Sequence, residues 1–361
     1  MFAPNFLISN KILTNIAKIE AAEEVIKHSP ILPLWEKRFK EDAIIRSVYH
    51  GTHIEGNRLL KDEAKDVLLG KEVIGRPRDI QEIINYRKVI EFIDLEANKK
   101  IDKITEQLIK KLHRLIADKI LPPEEAGEYR LKQVIIRNSQ TGEITFRPPP
   151  AIEVPFLMRE FIYWLNRIEK DQLHPVLKAG IAHHELVRIH PFIDGNGRVA
   201  RSLATLILFL GGYDIRRFFS LEEYYDKDAA TYYANLQKAS AGDLTAWLEY
   251  FTYGAAVEFE KIKEKIFRLS KDVKLKEKFG GQQIFLTERQ VKLVEYIQEV
   301  GYLQNQAFKS LFADISEDTI LRDLQDLIRK GLIKKIGSTK SARYIMAVSY
   351  THLTLPTIYS V

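Results

Sequence analysis

Twelve consecutive residues, His190-Pro191-Phe192-Ile193-Asp194-Gly195-Asn196-Gly197-Arg198-Val199-Ala200-Arg201, gather a proton acceptor, a carboxylate, two glycines and two arginines. The apolar stretch before His190 reads as a helix ending at Ile189, and a second helix begins at about Gly197. Loop amides and the positive end of that second helix then converge on whatever lies in the loop, which is the arrangement of an anion site. Gly195 and Gly197 let the backbone approach phosphate oxygens, and Asn196 adds an amide donor. Arg198 and Arg201 stand three apart on one helical face, and two arginines on one loop point to a polyphosphate. Asp194 is the single carboxylate of the loop, and Mg²⁺ beside phosphates is held by one or two protein oxygens plus the substrate. His190 titrates near neutral pH and is placed to take a proton beside the anion.

The elements that must position this loop read as mainly helical. Apolar residues at helical spacing, such as Ile16, Ile19, Ala22 and Val25, predict several amphipathic helices over residues 11–96. Gly51 and Gly56 interrupt that rhythm within His50-Gly51-Thr52-His53-Ile54-Glu55-Gly56-Asn57, which reads as a helix end or a loop. A further helix is expected over 101–120, stopped by Leu121-Pro122-Pro123. Residues 132–146 alternate and are β-branched around 138–142, the pattern of a β-hairpin, closed by Arg147-Pro148-Pro149-Pro150. Helices resume over 154–168, 175–189 and 198–210, with helical segments over 224–251. The Lys- and Glu-rich residues 258–278 read as a solvated connecting helix, broken at Phe279-Gly280-Gly281. Beyond it, helices over 287–300, 305–312 and 316–330 precede short strands over 332–336 and 342–346, the order of a winged helix. Residues 348–361 carry no charge and no helical period. They are set aside as a non-native or disordered tail, a bland terminal extension being the other reading.

At 361 residues the chain has room for two or three compact units. With no cysteine it has no disulfide framework, thiolate metal site or cysteine nucleophile. The net charge of +6 permits nucleotide or nucleic-acid partners without requiring them. The opening residues lack a basic start followed by an apolar block, and the most apolar run, 203–210, is too short to span a bilayer, so a cytoplasmic protein without membrane contact is expected. His183 and His184 are assigned to packing, because the helix that carries them lacks the second histidine of the zinc-binding helix motif.

The loop resembles the signature of the Fic family, and the resemblance extends over roughly residues 11–251. It implies a Fic-type helical core with a β-hairpin flap followed by a winged-helix domain. The expected divisions are an N-terminal helical region with an inhibitory segment (1–100), a catalytic core (101–256), a connecting helix (257–281) and the winged helix (282–347). The implied activity is transfer of AMP from ATP to a Ser, Thr or Tyr hydroxyl of a target protein, itself included. By the resemblance, His190 is the base, Asp194 holds Mg²⁺, and Gly195, Asn196, Gly197, Arg198 and Arg201 bind the phosphates. The hairpin over 132–146 resembles the flap that aligns a target segment by strand addition. Tyr232 and Tyr233 resemble the aromatic pair near the nucleotide base, although Ser240 stands where some relatives have Asn. Residues 51–57 resemble the family's inhibitory motif, with Gly51 in place of its Ser or Thr, so Glu55 is expected to pair with Arg201 and exclude a phosphate. The same glutamate is placed to orient water for AMP removal. Two other readings stay open. One is Doc-like protein phosphorylation, in which a lysine stands at the position of Gly197. The other is a nucleotide-sensing, DNA-binding regulator working through residues 282–347. Glu317 and Asp318 at the start of its third helix oppose DNA contact, whereas Arg329, Lys330, Lys334, Lys335, Lys340 and Arg343 favour it. Protein docking and homodimer formation are compatible with the same domain.

Overall fold

The computed structural model describes residues 2–29, 33–137, 144–167, 172–213, 218–239, 242–278, 286–312, 315–337 and 342–347. The chain divides into two compact units, Met1–Leu275 and Lys276–Val361. The tail set aside from sequence, 348–361, lies outside the described residues.

The first unit opens with α1 (Asn10–His28), α2 (Pro33–His53), α3 (Lys61–Leu68) and α4 (Pro77–Asn98). Ser9 caps α1 by accepting from the Ile12 amide, and the inward line runs through Ile12, Asn15, Ile19, Ala22 and Ile26. Val25, grouped with the core by its spacing, is 38% exposed because the buried stripe passes to Ile26. The expected interruption at Gly51 is the last turn of α2, which runs on to His53. A Cβ at Gly51 would lie 2.5 Å from the Tyr86 ring, so glycine is what lets α2 and α4 cross this closely.

Next comes α5 (Glu106–Ala117), capped by Thr105 and burying Leu108, Ile109, Leu112, His113 and Ile116. The short strands β1 (Ile136–Arg137) and β2 (Ile144–Phe146) pair antiparallel, Ile136 opposite Phe146. The turn expected over 138–142 lies outside the described residues. The helices α6 (Val154–Arg167), α7 (Pro175–Ile189), α8 (Asn196–Leu210), α9 (Leu221–Lys227) and α10 (Ala229–Ala239) follow, and α11 (Thr245–Lys278) ends the unit, its last three residues lying past Leu275.

The centre of the core is α7, packed against α8 and buried around most of its circumference. His183 and His184 are both inside. The His183 ring lies among Tyr225, Tyr232, Trp247 and Phe251, and its Nε2 is 2.8 Å from the Tyr232 hydroxyl. Of the connecting helix expected over 257–281, residues 257–278 form the later part of α11, and 279–281 lie outside the described residues. Trp247, Phe251, Ala255, Phe259, Ile262 and Ile266 form one buried stripe of α11, hidden in sequence by the Lys and Glu on its other faces. No described helix is long and apolar enough to cross a membrane.

The second unit contains α12 (Glu288–Val300), α13 (Phe308–Leu311), α14 (Glu317–Arg329), β3 (Ile333–Ile336) and β4 (Arg343–Met346). Thr287 and Gln290 form a capping box at the start of α12. The strands pair antiparallel from Ile333 opposite Met346 to Ile336 opposite Arg343. Leu293, Ile297, Phe308, Ile320, Leu324, Leu327, Ile333 and Tyr344 fill a core of their own.

Candidate active site

His190 closes α7 in the left-handed region, at φ +51°, a conformation non-glycine residues rarely adopt. Two contacts hold it there: its amide donates to Leu186 O at 2.9 Å, and Arg130 Nε donates to its carbonyl at 2.8 Å. The imidazole Nδ1 is 3.3 Å from Val187 O, which favours the proton on Nδ1 and leaves Nε2 as the basic nitrogen. Burial pushes the imidazole below its ordinary pKa, opposed by the Val187 carbonyl and by the charge of Glu55. His190 is therefore neutral, and able to accept a proton, at pH 7.

The loop after it is braced from inside. Asn196 accepts from the Phe192 amide and donates to the Phe192 carbonyl, both at 2.9 Å. Its side chain thus holds the loop's shape, with one Nδ2 hydrogen spent on the Phe192 carbonyl. Gly195 caps α8 at φ +76°, which a residue with a Cβ adopts only with strain. Beneath the loop lies His113, whose ring stacks on Phe192 with centroids 3.9 Å apart. The Gly127 amide donates to His113 Nδ1 at 2.8 Å, so Nε2 carries the proton and donates to Asp194 O at 3.0 Å. Burial lowers the His113 pKa to about 4, which keeps this arrangement neutral.

Arg198 and Arg201 are both buried, each with a different carboxylate. Arg198 Nη1 lies 3.2 Å from Glu82 Oε1, and its Nη2 lies 3.5 Å from Asp194 Oδ1. Arg201 Nη2 donates to Glu55 Oε1 at 2.8 Å and to Gly51 O at 3.0 Å, and the Arg201 side chain is only 1% exposed. Burial opposes the Arg201 charge, yet Glu55 keeps its pKa well above the ordinary value. Among the described residues, Nε and Nη1 of Arg201 and Nε of Arg198 have no acceptor. Buried donors without acceptors at a helix N-terminus fit an anionic ligand. Glu55 already supplies one anion there: a Cβ on Gly197 would fall 2.2 Å from Glu55 Oε1, so the carboxylate lies directly on the start of α8. The missing Ser or Thr at position 51 costs no contact to Arg201, which bonds the Gly51 carbonyl.

Asp194, the carboxylate of the loop, is kept ionised by its neighbours. Burial raises its pKa, but Arg198, Arg78 and the Gly195 amide outweigh this and hold the carboxyl below the usual carboxylate range. Its Oδ1 accepts from the Gly195 amide at 2.6 Å, and its Oδ2 accepts from Arg78 Nη2 at 2.6 Å. One ionised, part-exposed carboxylate beside buried arginines fits a cation shared between protein and phosphate oxygens. No group of three or more His, Asp or Glu among the described residues would hold a metal by itself.

The two tyrosines separate. Tyr232 faces the core, with its hydroxyl on His183, and so has no face for a nucleotide base. Tyr233 is 47% exposed and donates to Ile54 O at 3.2 Å, beside the Glu55 turn. Sequence reasoning missed Glu82, Arg78, His113 and Arg130. The buried Arg130 bonds the carbonyls of His190, Lys132 and Pro149, while its amide donates to Pro191 O, which ties both ends of the hairpin segment to the loop.

Residues 103–208 match the model of the Fic/DOC family, and residues 289–340 match that of the DeoR-like helix-turn-helix domain. The protein adenylyltransferase Fic of Drosophila grimshawi is 35% identical over 179 residues, 49% of this chain and 35% of that protein. The protein of the same name from Culex quinquefasciatus is 33% identical over 218 residues, 59% of this chain and 40% of its own. The chain thus spans between a third and two fifths of the length of these curated relatives. A Fic family protein from Desulfovibrio desulfuricans shares the fold with a TM-score of 0.65 at 24% identity, over 97% of this chain and 100% of that one. Fic-1 from C. elegans superposes with a TM-score of 0.59 at 26% identity, over 70% of this chain and 73% of its own.

Proposed function

We propose, from the match of residues 103–208 to the Fic/DOC family model and from the geometry of the site, that the chain is a protein adenylyltransferase held inactive by its own Glu55. In this reading the β- and γ-phosphates of ATP lie on the α8 N-terminus, facing Arg198 and Arg201. Nε2 of His190 takes the proton of a Ser, Thr or Tyr hydroxyl on the target. The freed oxygen attacks the α-phosphorus, a new O–P bond forms, and the bond to the β-phosphate oxygen breaks to release pyrophosphate. Mg²⁺, held through Asp194, would neutralise charge on the phosphates. The chain's own contribution is placement of His190 and donors aimed at the phosphates, which is how such transfers are accelerated.

One placement supports this reading most: Glu55 Oε1 rests on Gly197 and Arg201, where an anion would bind. A guanidinium nitrogen bonded to that carboxylate is not available to a phosphate. A lysine in place of Gly197, as in the kinase-type relatives, would collide with Glu55 in this pose. The test is label transfer from ATP carrying the tracer at the α- or the γ-phosphate, to a lysate and to the protein itself. We expect α-label transfer from Glu55→Gly, little from wild type, and none from Glu55→Gly with His190→Ala. Transfer of the γ label, or α-label transfer surviving loss of His190, refutes the reading.

For residues 282–347, the DeoR-like match favours duplex DNA as a partner. The start of α14 is acidic at Glu317 and Asp318, so contact would rest on Lys334 and Lys335 of β3. A gel shift that weakens steeply with salt supports DNA binding; no shift at low salt leaves this unit a protein-docking module.

A further inference from the structure

We infer that Arg78 is a built-in competitor for the divalent cation, seated on Oδ2 of Asp194. This rests on the assignment of Asp194 as the cation ligand. Of the two carboxylate oxygens, Oδ1 accepts the Gly195 amide at 2.6 Å and faces the buried Arg198 at 3.5 Å. The other, Oδ2, points toward Arg78, whose Nη2 donates to it at 2.6 Å. A cation approaching Oδ2 meets a guanidinium already in its place, and the two positive charges exclude each other.

The two arginines around Asp194 differ in freedom. The Arg198 side chain is 4% exposed and bound to the buried Glu82, so it is fixed. The Arg78 side chain is 55% exposed and, among the described residues, is held through Nε to Glu82 Oε1 at 3.1 Å and through Nη2 to Asp194. Rotation about its outer bonds carries Nη2 off Asp194 while the stem stays on α4. Arg78 therefore fills the charge requirement of Asp194 when no nucleotide is bound and yields it when a cation arrives with phosphate. Glu55 acts at a different place, lying on Gly197 and Arg201 and not on Asp194.

The experiment measures binding and not turnover: Mn²⁺ titrated into the full chain with ATP present, free Mn²⁺ being followed by electron paramagnetic resonance. Wild type, Arg78→Ala, Arg78→Lys and Asp194→Ala are compared, with a thermal melt of each as a folding control. The pair is part-exposed, so removing Arg78 should tighten Mn²⁺ binding by about 3- to 10-fold, with Arg78→Lys in between. Asp194→Ala should remove this site whatever stands at position 78. Unchanged or weaker Mn²⁺ binding by folded Arg78→Ala overturns the competitor role. Unchanged binding by Asp194→Ala shows instead that Asp194 is not the ligand, a failure distinguishable from the first.

Discussion

Replacing Glu55 by Gln keeps the shape of the side chain and removes its charge, so it isolates the competition for Arg201. Two effects of opposite sign should follow. The Arg201 guanidinium is buried and loses its counter-charge, keeping the Gly51 carbonyl at 3.0 Å and a neutral amide. Breaking a fully buried pair costs about 3–5 kcal/mol. Glu55 is itself 24% exposed, which brings the expected loss to roughly 2 kcal/mol, or a fall in Tm of about 5 °C. The same change frees a charge-assisted donor for ATP. Such a bond is worth about 1.5–3 kcal/mol, and displacing a part-exposed carboxylate should recover the lower part of that range, roughly 10- to 30-fold in Kd. Calorimetric titration of Mg·ATP and a melting curve on the same samples read both effects. A less stable protein that binds ATP more tightly is the signature of competition. If Glu55→Gln binds ATP no better than wild type, or more weakly, the carboxylate is a structural prop and the autoinhibition argument fails.

His190→Ala should abolish transfer in a Glu55→Gly background while leaving the Kd for ATP within about twofold, since the imidazole contributes a proton acceptor and no phosphate contact. Because burial lowers the His190 pKa, the acid limb of the rate profile should lie below pH 6.5; an inflection above that value contradicts the placement. Folding stability should fall on acidification for a different reason. His113 and His184 are lowered to about 4 by burial, so between pH 6.5 and 4 the unfolded chain binds protons that the folded chain refuses. Their stabilising contribution is complete above pH 6.5 and is lost toward pH 4, up to roughly 3 kcal/mol for each site; urea titrations across that interval should show it, and a flat profile would mean the rings are solvated. Asn196→Ala removes both bonds across the loop and should weaken ATP binding and lower stability together, by roughly 1–2 kcal/mol in urea unfolding; a loss of affinity with stability intact would return Asn196 to direct phosphate contact. In a double-mutant cycle, Glu55→Gln and Arg78→Ala should be non-additive for Mg·ATP affinity by more than about 0.5 kcal/mol, whereas strict additivity would separate the two devices.

The loop from His190 to Arg201 was legible because its chemistry is contiguous. Glycine spacing, a base, a carboxylate and two arginines fall on a helix–loop–helix whose geometry follows from local rules. Glu55 was legible for a similar reason, as one residue in a short recognisable segment. The groups that brace the loop were not. Arg78 and Glu82 are four apart on α4, a spacing common to solvated ion pairs, while their partners Asp194 and Arg198 lie more than a hundred residues away. His113 and Arg130 act through backbone carbonyls, which leave no trace in side-chain patterning. Helix geometry separates the two tyrosines. Adjacent residues on a helix point about 100° apart, so Tyr232 and Tyr233 cannot both face one ligand, and the core claims Tyr232. The bonds of the Asn196 amide to Phe192 close a local ring that composition does not display.

The parts that restrain the site lie outside the segment that matches the family model. Residues 103–208 supply His190, Asp194, Arg198 and Arg201, whereas Glu55 comes from the turn after α2, and Arg78 and Glu82 come from α4. Those two elements are bound to each other. Gly51 packs on the Tyr86 ring, and Asn57 Nδ2 donates to Asp79 O at 2.9 Å and to Glu82 Oε2 at 3.0 Å. Glu82 therefore touches the turn that carries Glu55, the arginine that covers Asp194 and the arginine fixed beneath the loop. Moving the Glu55 turn disturbs the Asn57–Glu82 bond, and through Glu82 it disturbs the anchor of Arg78. The proposed phosphate site and the proposed cation site thus share one buried carboxylate. A signal that shifts the end of α2 against α4 would loosen both restraints together, without touching the chemistry on α7 and α8.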